Sequence, residues 1–448
     1  MSTERLRDHA REIFDAGLQA VDPKKAIFNQ LSLKGSILNV GDRVYDLDAF
    51  EHIYVVGAGK AGALMAQGIE SLLGERISGG IVMVKYDHVL PTKKIELRQA
   101  GHPVPDENGV EGTCRLLERV RRAKANDLII CLLSGGGSAL LLKPAEGIAL
   151  SEKQTVTGLL LRSGAAIHEM NTIRKHISSV KGGQLARIAY PATLISLVVS
   201  DVIGDSLDVI ASGPTYPDSS TFQDSLKIID KYSITEQVPI SIRNLLNRGA
   251  EGRIPETPKP EDPVFEKTHH LIVANNTLAL QAAADKARTL GYHTMILSGM
   301  IEGETKEAAK EHASILKEIL HSSNPLHPPA CVISGGETTV TVKGNGLGGR
   351  NQEFVLAGAI QIAGLSNVVM FSAGSDGTDG PTDAAGAIAD GDTVFRALEQ
   401  KLDPEQYLRN NDSYHFFQGL NDLVKTGPTN TNVMDLRILL VGSDNPLS

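Results

Sequence analysis

Short apolar runs that end in glycine-rich turns and are followed by amphipathic segments recur along this chain, a rhythm that restricts it to parallel strand-helix-strand units. The first is residues 53–56, a helical stretch near 60–73, then 81–84. An apolar run of this length suits a buried strand, and a helix-length crossover is what parallel neighbours require. The rhythm continues with 128–133 after the charged stretch 111–125, and with 193–199 after helical segments near 152–188. Ser151-Glu-Lys-Gln154 is a capping pattern for one of those helices.

A second series follows, with 271–274, a helix opened near Asn276-Thr277 and closed at Gly291, then 294–297. Residues 332–334, 339–342 and 368–372 read as further strands. Between the series, 249–263 carries four prolines and dense charge, the composition of a linker or exposed loop. At 448 residues the chain exceeds the about 100–200 residues of an ordinary domain. The expected organisation is therefore two α/β domains with Rossmann-like, mainly parallel sheets flanking an interdomain cleft. Residues 1–248 form the first, 249–265 the linker and 266–424 the second, with 1–34 as a docking helix pair at the start of the first.

Charge and patterning narrow the class. The net charge is −9 and the 44 basic residues are dispersed, which argues against a nucleic-acid partner. The first residues are charged and no apolar stretch approaches a membrane span, so a cytoplasmic, membrane-free protein is expected. The three cysteines, Cys114, Cys131 and Cys331, have neither zinc nor disulfide spacing, and two lie inside apolar runs as core residues would.

The 44 glycines gather where chemistry is expected, at strand ends. Gly57-Ala-Gly59-Lys60-Ala-Gly62 follows a strand and opens a helix, the context of a dinucleotide fingerprint, yet Lys60 suits phosphate or carboxylate better. Glycines needed only for close helix–strand packing are the alternative. Ser134, Gly135, Gly136, Gly137 and Ser138 end the next strand, and three successive glycines bare backbone N–H groups to an anion. Asp201 follows the most apolar strand, placed as a base or metal ligand or else as a turn former or helix cap; Lys175, His176 and Lys181 just upstream could add positive charge there, but read more readily as a solvated helix face. The second half echoes the first, since 333–340 repeats the strand-Ser-Gly-Gly pattern of 133–140. Arg350 sits among four glycines, a planar clamp for phosphate. Asp376, Asp379 and Asp383 on one Gly-rich loop suit oxygen ligation of Mg²⁺, or simply turn formation.

Several blocks in one order carry a resemblance: Val-Val-Gly-Ala-Gly-Lys-Ala, Gly-His-Pro-Val-Pro-Asp, Leu-Ser-Gly-Gly-Gly-Ser-Ala-Leu, Val-Lys-Gly-Gly-Gln-Leu-Ala, Ser-Asp-Val-Ile-Gly-Asp, Gly-Gly-Arg-Asn-Gln-Glu and Ser-Ala-Gly-Ser-Asp-Gly-Thr-Asp-Gly-Pro-Thr-Asp. From about residue 50 to 435 the chain resembles the class II glycerate kinase (glycerate 2-kinase) family with its C-terminal MOFRL domain. The resemblance implies transfer of the ATP γ-phosphate, with Mg²⁺ or another divalent cation, to the 2-hydroxyl of D-glycerate. It also implies that the C-terminal residues 425–448, near Asn432, return to the N-terminal domain. On this reading Lys60 and Arg350 clamp the γ-phosphate and the 134–138 loop and Asn432 bind substrate. Asp201 orients or deprotonates the hydroxyl, and Asp376 and Glu337 hold the metal. The partners are then small molecules, with oligomerisation open. The rivals are an NAD(P)-dependent hydroxypyruvate reductase, suggested by the 57–62 fingerprint but lacking a His-carboxylate pair, and a non-catalytic sugar-acid or nucleotide sensor.

Overall fold

The structure, a computed structural model, describes residues 2–443. It contains two compact units, Pro23–Val273 and a second one assembled from Met1–Asp22 with Ala274–Ser448.

The Pro23–Val273 unit opens with the helix Pro23–Gln30, followed by an antiparallel meander of β1 (Leu31–Lys34), β2 (Ile37–Val40) and β3 (Arg43–Asp46). Its main sheet comprises β4 (His52–Ala58), β5 (Gly79–Lys85), β6 (Ile95–Ala100), β7 (Asp127–Leu133), β8 (Thr193–Val199) and β9 (Thr268–Ala274), in the order β6-β5-β4-β7-β8-β9. The ladders joining β6, β5, β4, β7 and β8 are all parallel. β7 is buried along its whole length, as expected of an unbroken apolar run covered on both faces. Strand order reverses between β4 and β7, the switch point where ligands collect beyond the carboxyl ends of an open parallel sheet. Because Ala58 pairs with Leu133, the loops carrying Lys60 and Ser134 leave the sheet side by side. The helices Leu150–Arg162, Ile167–His176, Phe222–Lys231 and Ile240–Ala250 add a satellite core of their own, which includes Leu160, Ile173, Phe222, Ile229 and Leu246.

The second unit has β10 (His293–Ile301), β11 (Ala330–Gly336), β12 (Val368–Gly374), β13 (Gly386–Asp390), β14 (Leu423–Val424) and β15 (Asp435–Val441), in the order β10-β11-β15-β12-β13-β14. β10 and β11 run parallel and the other ladders antiparallel, so this sheet is mixed. The expected strand at 339–342 is an extended segment tied by one bridge between Glu304 and Thr339.

Three expectations about domain boundaries are corrected. Residues 425–443 belong to the second unit rather than the first: β15 lies in the middle of the second sheet, paired with β11 and β12 through seven residues on each side. The first helix, Thr3–Ala20, belongs to this same unit; Phe14 packs on Phe371 with centroids 5.1 Å apart, and Arg7 pairs with Asp390 and Asp422. Residues 249–265 are not a linker between units, because Thr257 donates to Asp218 (2.9 Å), Asp218 donates its N–H to the Pro258 carbonyl (2.9 Å), and β9 then joins the first sheet. None of the described helices is long and apolar enough to cross a membrane.

Candidate active site

At the switch point the glycine loop after β4 is occupied by protein. Gly59 N–H donates to the Met83 carbonyl (3.1 Å), Lys60 N–H to the Gly135 carbonyl (2.8 Å) and Ala61 N–H to Ser134 Oγ (3.1 Å). A Cβ on Gly57 would overlap the Leu132 carbonyl, and one on Gly59 would overlap Ser134 Oγ. Gly57, Gly59, Ser134 and the Gly135 carbonyl therefore knit two adjacent strand ends together. The N–H groups that a dinucleotide pyrophosphate needs at this helix start are already committed. What projects from the knot is the half-buried Lys60, whose stem passes 3.4 Å from where a Gly136 Cβ would sit. The His102 ring lies on the same spot, 2.9 Å away, and Gly136 accommodates both with a left-handed φ of 81°.

Beyond Gly136 and Ser138 opens a cavity of about 490 Å³, walled by the 102–105 loop and by side chains from the helices Leu150–Arg162 and Ile167–His176. Three cations line it, Lys153, Arg174 and Lys181, and no carboxylate does. Lys153 is 4% exposed and Lys181 1%. Their ammonium groups meet only carbonyl oxygens at long range, Ile177 at 3.5 Å and Ala211 at 3.3 Å. Burial, helped by the Arg174 charge, pushes the Lys153 pKa down to about 7; burial, then Lys153 and Arg174, hold Lys181 well below the ordinary lysine value. Burial and the nearby Lys60 bring His102 down to about 4, so its imidazole is neutral at physiological pH. Buried charge without a counter-ion is costly unless a ligand supplies one. Behind the lining residue Ser138, Ala211 and Ser212 both adopt left-handed φ (52° and 61°), and Ser212 Oγ lies 2.9 Å from Ser138 Oγ.

Sequence reasoning missed His102, Lys153 and Arg174 and misplaced three neighbours. Lys181 is a buried cavity wall. Lys175 is buried too, paired with Asp218 (3.3 Å) and Asp208 (3.4 Å), and His176 contacts Glu256 (3.2 Å). None of the three lies on a solvated face. Asp201 is half-buried just past the end of β8, outside the cavity lining.

In the second unit Arg350 opens the helix Arg350–Ile362. Its guanidinium grips Asp435 through Nε (2.7 Å) and Nη2 (3.0 Å), and Nη1 donates to Glu337. Burial opposes its charge, but Asp435 and Glu337 raise its pKa above the ordinary value. Three of its five donors are thus used in holding it, and the rest remain for a ligand. Asp379 caps the same helix, accepting from Asn351 N–H (3.0 Å) and Gln352 N–H (2.8 Å), while burial pushes its carboxyl up to about 6.

The expected metal ligands have other tasks. Glu337 is the partner of Arg350, and Asp376 Oδ1 accepts from Thr378 N–H (3.1 Å) and Oγ1 (3.0 Å), a side-chain turn. Asp383 pairs with Lys425 (2.9 Å). Among the described residues the grouping with metal-ligand geometry is instead Glu51, His52 and Asp127, at the amino ends of β4 and β7. Glu337 and Asp376 are thus each engaged by a protein group through one carboxylate oxygen. Asn432 shapes the turn into β15, its Oδ1 accepting from Met434 N–H (3.2 Å).

Residues 9–247 match the family described as Domain of unknown function (DUF4147), and residues 330–435 match the MOFRL family. D-glycerate 2-kinase of Thermotoga maritima is 44% identical over 98% of this chain and 99% of its own. A protein of Agrobacterium vitis that carries a provisional hydroxypyruvate reductase name is 40% identical over 97% of this chain and 94% of its own. A crystal structure of glycerate kinase from Thermotoga maritima superposes with a TM-score of 0.87 at 42% identity, covering 98% of this chain and 100% of that one. The chain belongs to the glycerate 2-kinase family, with an N-terminal DUF4147 region and a C-terminal MOFRL domain.

Proposed function

We propose that this protein is a D-glycerate 2-kinase, transferring the γ-phosphate of ATP to the 2-hydroxyl of D-glycerate. The observation that carries the reading is the cavity beside Gly136, whose three basic side chains face no carboxylate and would be charged fully only by an entering anion. In the reaction the γ-phosphorus leaves the β-phosphate oxygen and bonds to the acceptor oxygen, whose proton passes to a base. Such a transfer has a loose transition state, and catalysis is mostly positioning and charge neutralisation. Lys60 supplies charge at the switch point, and Arg350 offers the donors that Asp435 and Glu337 leave unused. His102, neutral at working pH, can hydrogen-bond a ligand but is too weak a base to take a proton. Asp201 is assigned to the acceptor hydroxyl. A divalent cation enters as part of the nucleotide complex, ligated mainly by phosphate oxygens and water, with no step routed through a protein-bound metal.

The oxidoreductase alternative draws on the 57–62 fingerprint and on the Agrobacterium name. It is disfavoured because the loop N–H groups that would hold a pyrophosphate are spent on Met83, Ser134 and Gly135. A small-molecule enzyme of the cytoplasm fits the absence of a spanning helix among the described residues. Phosphorus NMR of the purified protein with D-glycerate, ATP and Mg²⁺ should show 2-phosphoglycerate. Oxidation of NADH on hydroxypyruvate, with no phosphorylated product, would replace this reading by the reductase one.

A further inference from the structure

Donor and acceptor of a glycerate kinase differ in size and polarity, and the cavity walls discriminate between them. Glycerate is a three-carbon acid with no apolar face. ATP joins a flat, largely apolar base to a polyanionic tail. The cavity, about 490 Å³, has the size of pockets that enclose drug-sized ligands, far more than glycerate would fill. Its lining is divided in the same way as the nucleotide. Lys153, Arg174 and Lys181 supply three basic side chains that an anion would charge, with Ser138 beside them, while Val104, Pro105, Leu142 and Leu161 supply apolar wall.

Two further observations point the same way. Val104 is 66% exposed and Leu161 61% exposed, apolar side chains left in water at the edge of a cavity that also holds buried charge. The 102–105 loop is pinned to the helix Leu150–Arg162 by Gln154, which donates to the Pro105 carbonyl (2.8 Å), so this apolar wall is fixed in place. A lone carboxylate would balance one of the three cations and leave the apolar side chains bare; a nucleotide would answer both needs.

We propose that this cavity in the Pro23–Val273 unit is the nucleotide site, the base lying against Val104, Pro105 and Leu161 and the polyphosphate running to Lys153, Arg174, Lys181 and Ser138, with glycerate bound elsewhere. The assignment rests on the kinase reading above. It is tested on the full chain by titration calorimetry with ADP, tripolyphosphate and D-glycerate, alongside steady-state kinetics. Leu161→Ser and Val104→Ser change exposed positions and leave the fold intact. Each should weaken ADP and raise the KM for ATP by about tenfold, the worth of one buried aliphatic contact, without altering tripolyphosphate binding or the KM for glycerate. Lys181→Met should weaken ADP and tripolyphosphate together. Serine variants that raise the KM for glycerate and spare ADP would overturn the assignment and give the cavity to the acceptor, with kinase activity intact. Unchanged ADP affinity in all three variants would overturn it as well. If the wild-type chain phosphorylates no glycerate, the kinase reading falls instead, and an ADP affinity still sensitive to Leu161 upholds the site.

Discussion

Lys181 and Lys153 are the residues at which this protein trades stability for binding. Each buries a basic side chain against carbonyl oxygens alone, which disfavours its charged form until an anion arrives. Lys181→Met keeps the stem and removes the charge. The ligand-free variant should melt at the wild-type temperature or a few degrees above it, while kcat/KM falls on the order of a hundredfold. A lower melting temperature with unchanged kinetics would make Lys181 a structural residue. Binding should also depend on pH with a definite sign. In the empty site Lys153 titrates near 7, and a polyanion beside it raises that value. ADP binding therefore takes up protons above pH 7, and affinity falls as pH rises from 7 to 9, by up to about tenfold per unit for one group. Calorimetry in buffers of different ionisation enthalpy measures the uptake, and Lys153→Met should remove its share while leaving that of Lys181, which burial also holds below the ordinary lysine value. A signal for Lys153 was present in the sequence, since it shares the stripe 153, 156, 157, 160 with the buried Val156 and Leu160. Its polar neighbours Ser151, Glu152 and Gln154 read as a helix start and masked it. Glu152 does reach back to a helix start, but to Ala149 N–H (2.8 Å) rather than to a serine cap.

At the scale of elements, the glycine-rich turns were legible as positions but not as tasks. Local composition cannot distinguish a glycine that bares an N–H for a ligand from one that lets a neighbouring strand approach. Gly57 and Gly59 prove to be of the second kind, because their contacts, Leu132 and Ser134, lie on a strand far along the chain. Gly136 too makes room for neighbours, with the His102 ring and the Lys60 stem lying where its Cβ would be. The acidic loop 376–383 divides in the same way, and its spacing suggested one metal site where the fold has three separate uses. Asp379 is the most consequential of them, since it satisfies two N–H groups at the start of the helix that presents Arg350. Asp379→Ala should destabilise the protein by about 1–2 kcal/mol, the cost of a lost helix cap. Chemical denaturation reads the loss, and kcat should fall with it because the Arg350 end of the helix loosens. A variant with native stability would show that the first turn finds other acceptors.

At the scale of the molecule, the strand-helix rhythm correctly indicated two α/β units, but not how the chain is divided between them. Periodicity identifies a strand without naming its partners, so the last strand and the first helix could not be placed from sequence. Both belong with residues 274–443: β15 is central in the second sheet, buried throughout, and supplies Asp435 for Arg350 and the fully buried Arg437. A chain stopped after Met434 would lose both seven-residue ladders of β15, separating β10-β11 from β12-β13-β14 and leaving apolar faces of each without cover. The parallel sheet of Pro23–Val273 takes no strand from this region. Hydrogen exchange of the truncated chain should therefore show rapid exchange in β11 and β12 with slow exchange retained in β4, β5, β7 and β8. Protection of β11 and β12 at the full-length level would mean that their pairing does not depend on the strand between them, and that the second unit owes its stability to its helices.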